Sequence, residues 1–183
     1  FYPDNNGREG LFINTQALSL ALFGPSPWAL RIISGIFGTL TVLVLYLLGR
    51  ELFRESRTQN RESEKTRQAV ALLAAFFLAV SYWHVNFSRI GFRAITLPLF
   101  STLALYFLLR ALRSGSIPAT IGAGLAMGLG FHTYIAFRFM PFVVALPIVL
   151  AFTSWYRGRV KQVCVPCVTA LFLFVTFVVA LPM

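Results

Sequence analysis

The sequence predicts an all-α fold, a polytopic transmembrane helix bundle of about six spans with one short interfacial helix. Three observations predict it. The chain is 57% hydrophobic and only 12% charged, with a mean hydropathy of +0.74 and 19 phenylalanines, whereas a soluble domain carries about 25% charged residues. Apolar runs of about 20 residues recur, the length that crosses a hydrocarbon core roughly 30 Å thick. Lysine and arginine fall mostly in the short links between these runs.

Residues 1–10 (FYPDNNGREG) are polar and turn-rich, and residues 11–23 form a short stretch with Asn14, Thr15 and Ser19 on one helical face. That stretch is too short to span, so it predicts a helix lying in the interface or packed on other spans. Crossings are expected at 28–49, 68–85, 95–112, 118–135, 139–155 and 163–183. The chain 1–183 reads as a single membrane domain, part of a larger one. Residues 1–27 would be an external loop with a juxtamembrane helix, and residues 28–183 the crossings. A start at Phe1 and a stop at VVALPM, the end of a crossing, predict an internal fragment whose upstream span delivers the amino terminus outside. Gly35 and Gly38, with Gly122, Gly124, Gly128 and Gly130 of GAGLAMGLG, point to close helix packing.

The charge pattern sets the orientation. One set of alternate links holds Arg50, Arg54, Arg57, Arg61, Lys65, Arg67, Arg110, Arg113, Arg157, Arg159 and Lys161; the other holds Arg8, Arg31, Arg89, Arg93 and Arg138. Positive residues favour the cytoplasm, so the first set is expected there and the amino-terminal segment outside. This predicts a multi-pass protein integral to the plasma (cytoplasmic) membrane, with its working side extracytoplasmic. The net charge of +10 does not signal nucleic acid, because the basic residues form no aromatic-basic platform or recognition helix. No acidic residue falls inside any crossing, which argues against a proton- or cation-coupled transporter, since such proteins need an ionisable group within the membrane.

The remaining polar residues collect at the outer ends: Asp4, Asn5, Asn6, Arg8 and Glu9, then Arg31, then His84, Asn86, Arg89 and Arg93, and finally His132, Tyr134 and Arg138. Such a cluster suits a phosphate carried on a lipid, because guanidinium forks bind phosphate oxygens bidentately beside a low-dielectric acyl region. Snorkelling of single arginines to headgroups is the alternative, evenly balanced for Arg31 and Arg138. His84, His132 and Asp4 offer a weak set for a divalent metal ion; hydrogen bonding or aromatic packing of the two histidines is the favoured reading, and no cofactor is assigned. Cys164-Val-Pro-Cys167 has redox or half-zinc spacing, but with no second pair and no thioredoxin-like strand pattern, reduced thiols are expected. Asn86-Phe87-Ser88 fits a glycosylation acceptor yet hugs the membrane.

The stretches NNGREGLFINTQALSLALFGPSPWALRIISGIFGTLTVLVLYLLGRELF and RQAVALLAAFFLAVSYWHVNFSRIGFRAI resemble the GT-C integral-membrane glycosyltransferases of the protein O-mannosyltransferase and aminoarabinose-transferase type, the dolichyl-phosphate-mannose-protein mannosyltransferase-like family. The likeness runs in order along nearly the whole chain. It is most specific in ALFGPSPWALR, in LLGRELF and in the SR of Ser88-Arg89.

The resemblance implies transfer of a sugar from a polyprenyl-phosphate donor to a glycan, lipid or protein acceptor on the extracytoplasmic side. It implies donor-phosphate contacts from Arg8, Arg89, Arg93 and Arg138, with Glu9, His84, His132 and Tyr134 in support. The family's main acidic residue would lie upstream of Phe1; Asp4 is the weaker candidate for the base that accepts the acceptor's proton. Two departures stand out. Relatives often carry an aspartate after SR where this chain has IGFRAI, and Thr-Lys where it has Thr133-Tyr134. Arg138, one helical turn beyond Tyr134, stands in reach of the missing cation's role. The alternative function is a non-enzymatic membrane subunit or lipid carrier that grips anionic headgroups of the bilayer.

Overall fold

The computed structural model describes residues 10–54, 61–158 and 163–181, and these form helices with no strand. In order they are α1 (Gly10–Phe23), α2 (Pro27–Leu52), α3 (Arg61–Val80), α4 (Tyr82–Ile90), a 3-10 turn (Arg93–Ile95), α5 (Thr96–Ser114), α6 (Ile117–Phe131), a second 3-10 turn (Ile135–Phe139), α7 (Met140–Tyr156) and α8 (Val165–Ala180). Proline stands in the first two positions of α2, α6, α7 and α8. There its missing N–H costs nothing and its fixed φ suits the first turn. Gly91 and Gly115 close α4 and α5 in the left-handed region, with φ of 77° and 67°.

The predicted count of about six spans is not confirmed. Among the described residues, three helical segments are long and apolar enough to cross a membrane, Pro27–Leu52, Arg93–Ser114 and Ile135–Tyr156, or four if a bent pair counts as one. That pair, Glu64–Val80 with Tyr82–Ile90, bends by 56°, so the crossing expected at 68–85 is broken at Ser81. Ser81 adopts an extended conformation and becomes the N-cap of α4. α6 and α8, with 15 and 16 residues, rise only about 23 Å, less than the roughly 30 Å core. Apolar composition runs on past their ends, which is why the sequence predicts longer crossings there.

Apolar side chains fill the interior and also cover much of the outer surface. The core is built of α5, α6 and α8, where Ala104, Leu108, Ala111, Ala123, Met127, Val165, Val168 and Phe172 are buried. Leu72, Leu73, Phe76 and Phe77 of α3, Phe142 and Leu146 of α7, and Phe174 and Phe177 of α8 are exposed. Small residues let the helix backbones approach. A methyl group at Gly124 would stand 2.7 Å from Val175 Cβ, and one at Gly128 would stand 2.6 Å from Val179 Cβ and 3.2 Å from the Thr176 carbonyl. Gly128→Ala must therefore push α6 and α8 apart. Its expected cost is about 1–3 kcal/mol, seen as a lower unfolding temperature of the detergent-purified protein.

Threonine hydroxyls within the helices turn back to their own backbone, which satisfies them in a low-dielectric surrounding. Thr41 donates to the Phe37 carbonyl, Thr102 to Pro98 and Thr120 to Ser116. Contacts also fix which ends of the helices lie together. Arg113 at the end of α5 reaches the end of α2, and Gly115 meets Val163 just before α8. At the opposite end, Gly91 meets the start of α2 and His132 meets the end of α8. The links expected outside thus share one end of the bundle.

Candidate functional site at one end of the bundle

α4 is held against α2 by polar contacts through a glycine gap. His84, buried, bonds through Nε2 to the Gly38 carbonyl at 3.1 Å. Ser88 donates to the His84 carbonyl at 2.7 Å, and its hydroxyl fills the place a Gly38 side chain would take. On the outer face Trp83, Phe87 and Phe92 form a run of ring contacts with centroids 5.8 and 5.1 Å apart. Asn86 donates to the Tyr82 carbonyl at 3.0 Å, so its amide is tied to its own helix.

This framework presents the two arginines. Arg89 lies exposed in the last turn of α4, Gly91 reverses the chain, and Arg93, half-buried, opens the 3-10 turn. Thr96 donates to the Arg93 carbonyl at 2.7 Å and ties that turn to α5. A methyl group at Gly91 would stand 3.6 Å from the Leu30 carbonyl and 3.8 Å from both Arg31 Cγ and Gln16 Nε2. Only glycine combines that approach with a positive φ at low cost. The turn is thereby seated on α1 and α2, and Arg31 joins Arg89 and Arg93 around it.

α1 is docked by its polar face. Gln16 donates to the Leu30 carbonyl at 3.2 Å, and buried Ser19 to the Ala29 carbonyl at 2.6 Å. Of the polar residues Asn14, Thr15 and Ser19 that the sequence places on one face, Ser19 thus reaches α2, Thr15 donates to the Phe12 carbonyl of its own helix, and Gln16, outside that set, makes the second bond.

Arg138 belongs to a second group at the same end. Thr133 donates to the Gly130 carbonyl at 2.5 Å, and His132 bonds through Nε2 to the Val179 carbonyl at 2.8 Å. Tyr134, half-buried, precedes the turn that carries exposed Arg138. Phe137, 1% exposed, anchors that turn against Phe131 with ring centroids 5.6 Å apart. The turn Arg93–Ile95 packs on α2 and α4 and the turn Ile135–Phe139 on α6 and α7, while both touch α5. The candidate cations thus form two groups, Arg31 with Arg89 and Arg93, and Arg138 apart. Asp4, Arg8 and Glu9 lie outside the described residues.

His84 and His132 are both committed to backbone carbonyls of different helices. No three His, Cys, Asp or Glu side chains gather in metal-binding fashion among the described residues; Asp4, the third member of the expected set, lies outside them.

Three features went unseen in the sequence. The reduced thiols expected at 164 and 167 are corrected: Cys164 and Cys167 are joined in a disulfide, their Cα atoms 5.3 Å apart on the first turn of α8, a separation at which bridging is ordinary. At the opposite end of the bundle, Arg113 Nη1 donates to the Glu51 carbonyl and, at 3.3 Å, to its carboxylate. Arg113 Nη2 donates to the Leu52 carbonyl at 3.2 Å. This cation satisfies the terminal carbonyls of α2, across 62 residues of sequence. The break at Ser81 is the third, signalled only by the polar serine in an apolar run.

The sequence profile of the dolichyl-phosphate-mannose-protein mannosyltransferase family matches residues 62–182. The chain is 34% identical over 148 residues to the undecaprenyl phosphate-alpha-4-amino-4-deoxy-L-arabinose arabinosyl transferase of Pseudomonas aeruginosa strain PAO1, covering 76% of this chain and 24% of that protein. The same-named proteins of strain UCBPP-PA14 and of Pseudomonas paraeruginosa strain PA7 are 35% and 34% identical over the same shares. The chain spans about a quarter of the length of these relatives. No solved structure matches it significantly. The profile match and these identities establish that the chain belongs to the dolichyl-phosphate-mannose-protein mannosyltransferase family of membrane glycosyltransferases.

Proposed function

We propose that the protein of which this chain is part transfers a sugar from a polyprenyl-phosphate-linked donor to a glycan, lipid or protein acceptor, at the bundle end that carries Arg89, Arg93 and Arg138. The observation that carries this reading is the Gly91 turn, which seats two arginines and Arg31 on the bundle rim. The name of the relatives, which includes undecaprenyl phosphate, supports the donor class.

The chemistry follows from the side chains. As the acceptor hydroxyl attacks the anomeric carbon, the bond to the phosphate oxygen breaks and the lipid phosphate departs with added charge. Guanidinium donors aimed at that oxygen stabilise the charge as it develops. Arg8 is assigned a further contact with the donor phosphate, Asp4 is the candidate base, and Glu9 and Tyr134 are assigned supporting roles; His84 and His132 support the rim by fixing α4 and the end of α6. The excess of basic residues at the opposite end supports placing this rim outside the plasma membrane.

Full-length protein in sealed right-side-out membrane vesicles is expected to move a labelled sugar from added polyprenyl phosphate to an acceptor. Labelled nucleotide sugar should give no direct transfer. Failure to consume the lipid-linked donor would overturn the reading.

A further inference from the structure

Cys164 and Cys167 lie at the end opposite the arginine rim, where Val163 packs on Gly115. Their bond spans only three positions of sequence and closes one turn of α8. Such a link joins no two elements of the fold, and in the chain-entropy view so short a loop adds little stability. Both cysteines are exposed, although Val163, Val165 and Val168 around them are buried. A staple would be sheltered and long-range; this bond is neither.

The local geometry suits reversible sulfur chemistry. Cys164 is the N-cap of α8, and Pro166 occupies its first turn. Pro166 has no N–H, while the N–H groups of Val165 and Val168 are bonded to the carbonyls of Val163 and Cys164. The Cys167 N–H therefore remains as a first-turn donor for a sulfur anion at the N-cap. The positive end of the helix favours the thiolate at that position.

We propose that Cys164 and Cys167 form a thiol–disulfide exchange site whose partners are small dithiols and disulfides. In the oxidising direction the Cys164 thiolate attacks one sulfur of a glutathione-type disulfide, whose other sulfur leaves as a thiolate. The Cys167 thiol then gives up its proton and attacks Cys164 Sγ, releasing the second thiolate and closing the bond in the structure. Two electrons pass to the small disulfide, which ends as two thiols; a dithiol reductant reverses both steps. In the proposed orientation this end faces the cytoplasm, where the dithiol form is resident and the disulfide forms on oxidation.

The test counts maleimide mass tags on full-length protein, folded in detergent, against a Cys164→Ser/Cys167→Ser control. Dithiothreitol without denaturant should expose two additional tags, and glutathione disulfide, added after the dithiothreitol is removed, should mask both again. With glutathione disulfide, Cys167→Ser should trap a mixed disulfide that Cys164→Ser does not. A bond that yields to dithiothreitol only after denaturation, a pair that glutathione disulfide leaves reduced, or equal trapping by the two single variants would each overturn the proposal.

Discussion

Replacing Arg89 and Arg93 together by alanine in the full-length protein is expected to lower kcat/KM for the lipid-linked sugar donor about 10²–10³-fold, the usual cost of removing donors from a developing oxyanion. Arg89 is exposed and Arg93 half-buried on a turn at the end of the bundle, so the amount of folded protein is measured for each variant and the rate is expressed per folded molecule. Arg89→Lys/Arg93→Lys should recover part of the rate. Lysine restores the charge but not the planar fork that grips two phosphate oxygens. Arginines that only snorkel to headgroups would tolerate all four changes. The assay is transfer from labelled donor in vesicles, with membrane-extracted protein quantified alongside.

The second large effect lies at the other end of the bundle. Arg113→Ala removes the donors to the Glu51 and Leu52 carbonyls and leaves the buried Glu51 carboxylate with Arg54, 3.9 Å away. The expected loss of stability is about 1.5–3 kcal/mol, the worth of hydrogen bonds from a charged group, since the Arg113 side chain is itself 37% exposed. Thermal unfolding in detergent measures it. Arg110→Ala is the control, since the exposed Arg110 side chain bonds to its helix neighbour Tyr106 at 3.0 Å; its effect should stay within about 0.5 kcal/mol. Equal unfolding temperatures for the two variants would refute the capping role.

The sequence made the order of helices legible because the run of apolar residues alone identifies a membrane-length helix. Residues 28–49, 95–112 and 139–155 correspond to helical segments of spanning length. It could not show the break at Ser81, because apolarity continues on both sides and the bend is decided by how α4 meets Gly38. Nor could it show that α6 stops at Phe131, since its end is set by the turn at His132–Tyr134.

At the rim, charge asymmetry was enough to single out Arg89 and Arg93. Their common turn was legible only in part: Gly91 marks a reversal, but its seat against Leu30 and Gln16 needs the fold. The partners of His84 and His132 are backbone carbonyls 46 and 47 residues away, which no local pattern encodes. Arg113 reads in sequence as one more charge of a link, and its cap on α2 depends on α2 and α5 ending side by side.

Whether the Arg89–Arg93 turn holds a lipid-borne phosphate is decided by equilibrium binding of polyprenyl phosphate, without sugar, to full-length protein. Saturable binding that weakens by at least about tenfold in Arg89→Ala/Arg93→Ala, or roughly 1.4 kcal/mol, is the predicted result. Equal affinity of the two proteins would contradict it.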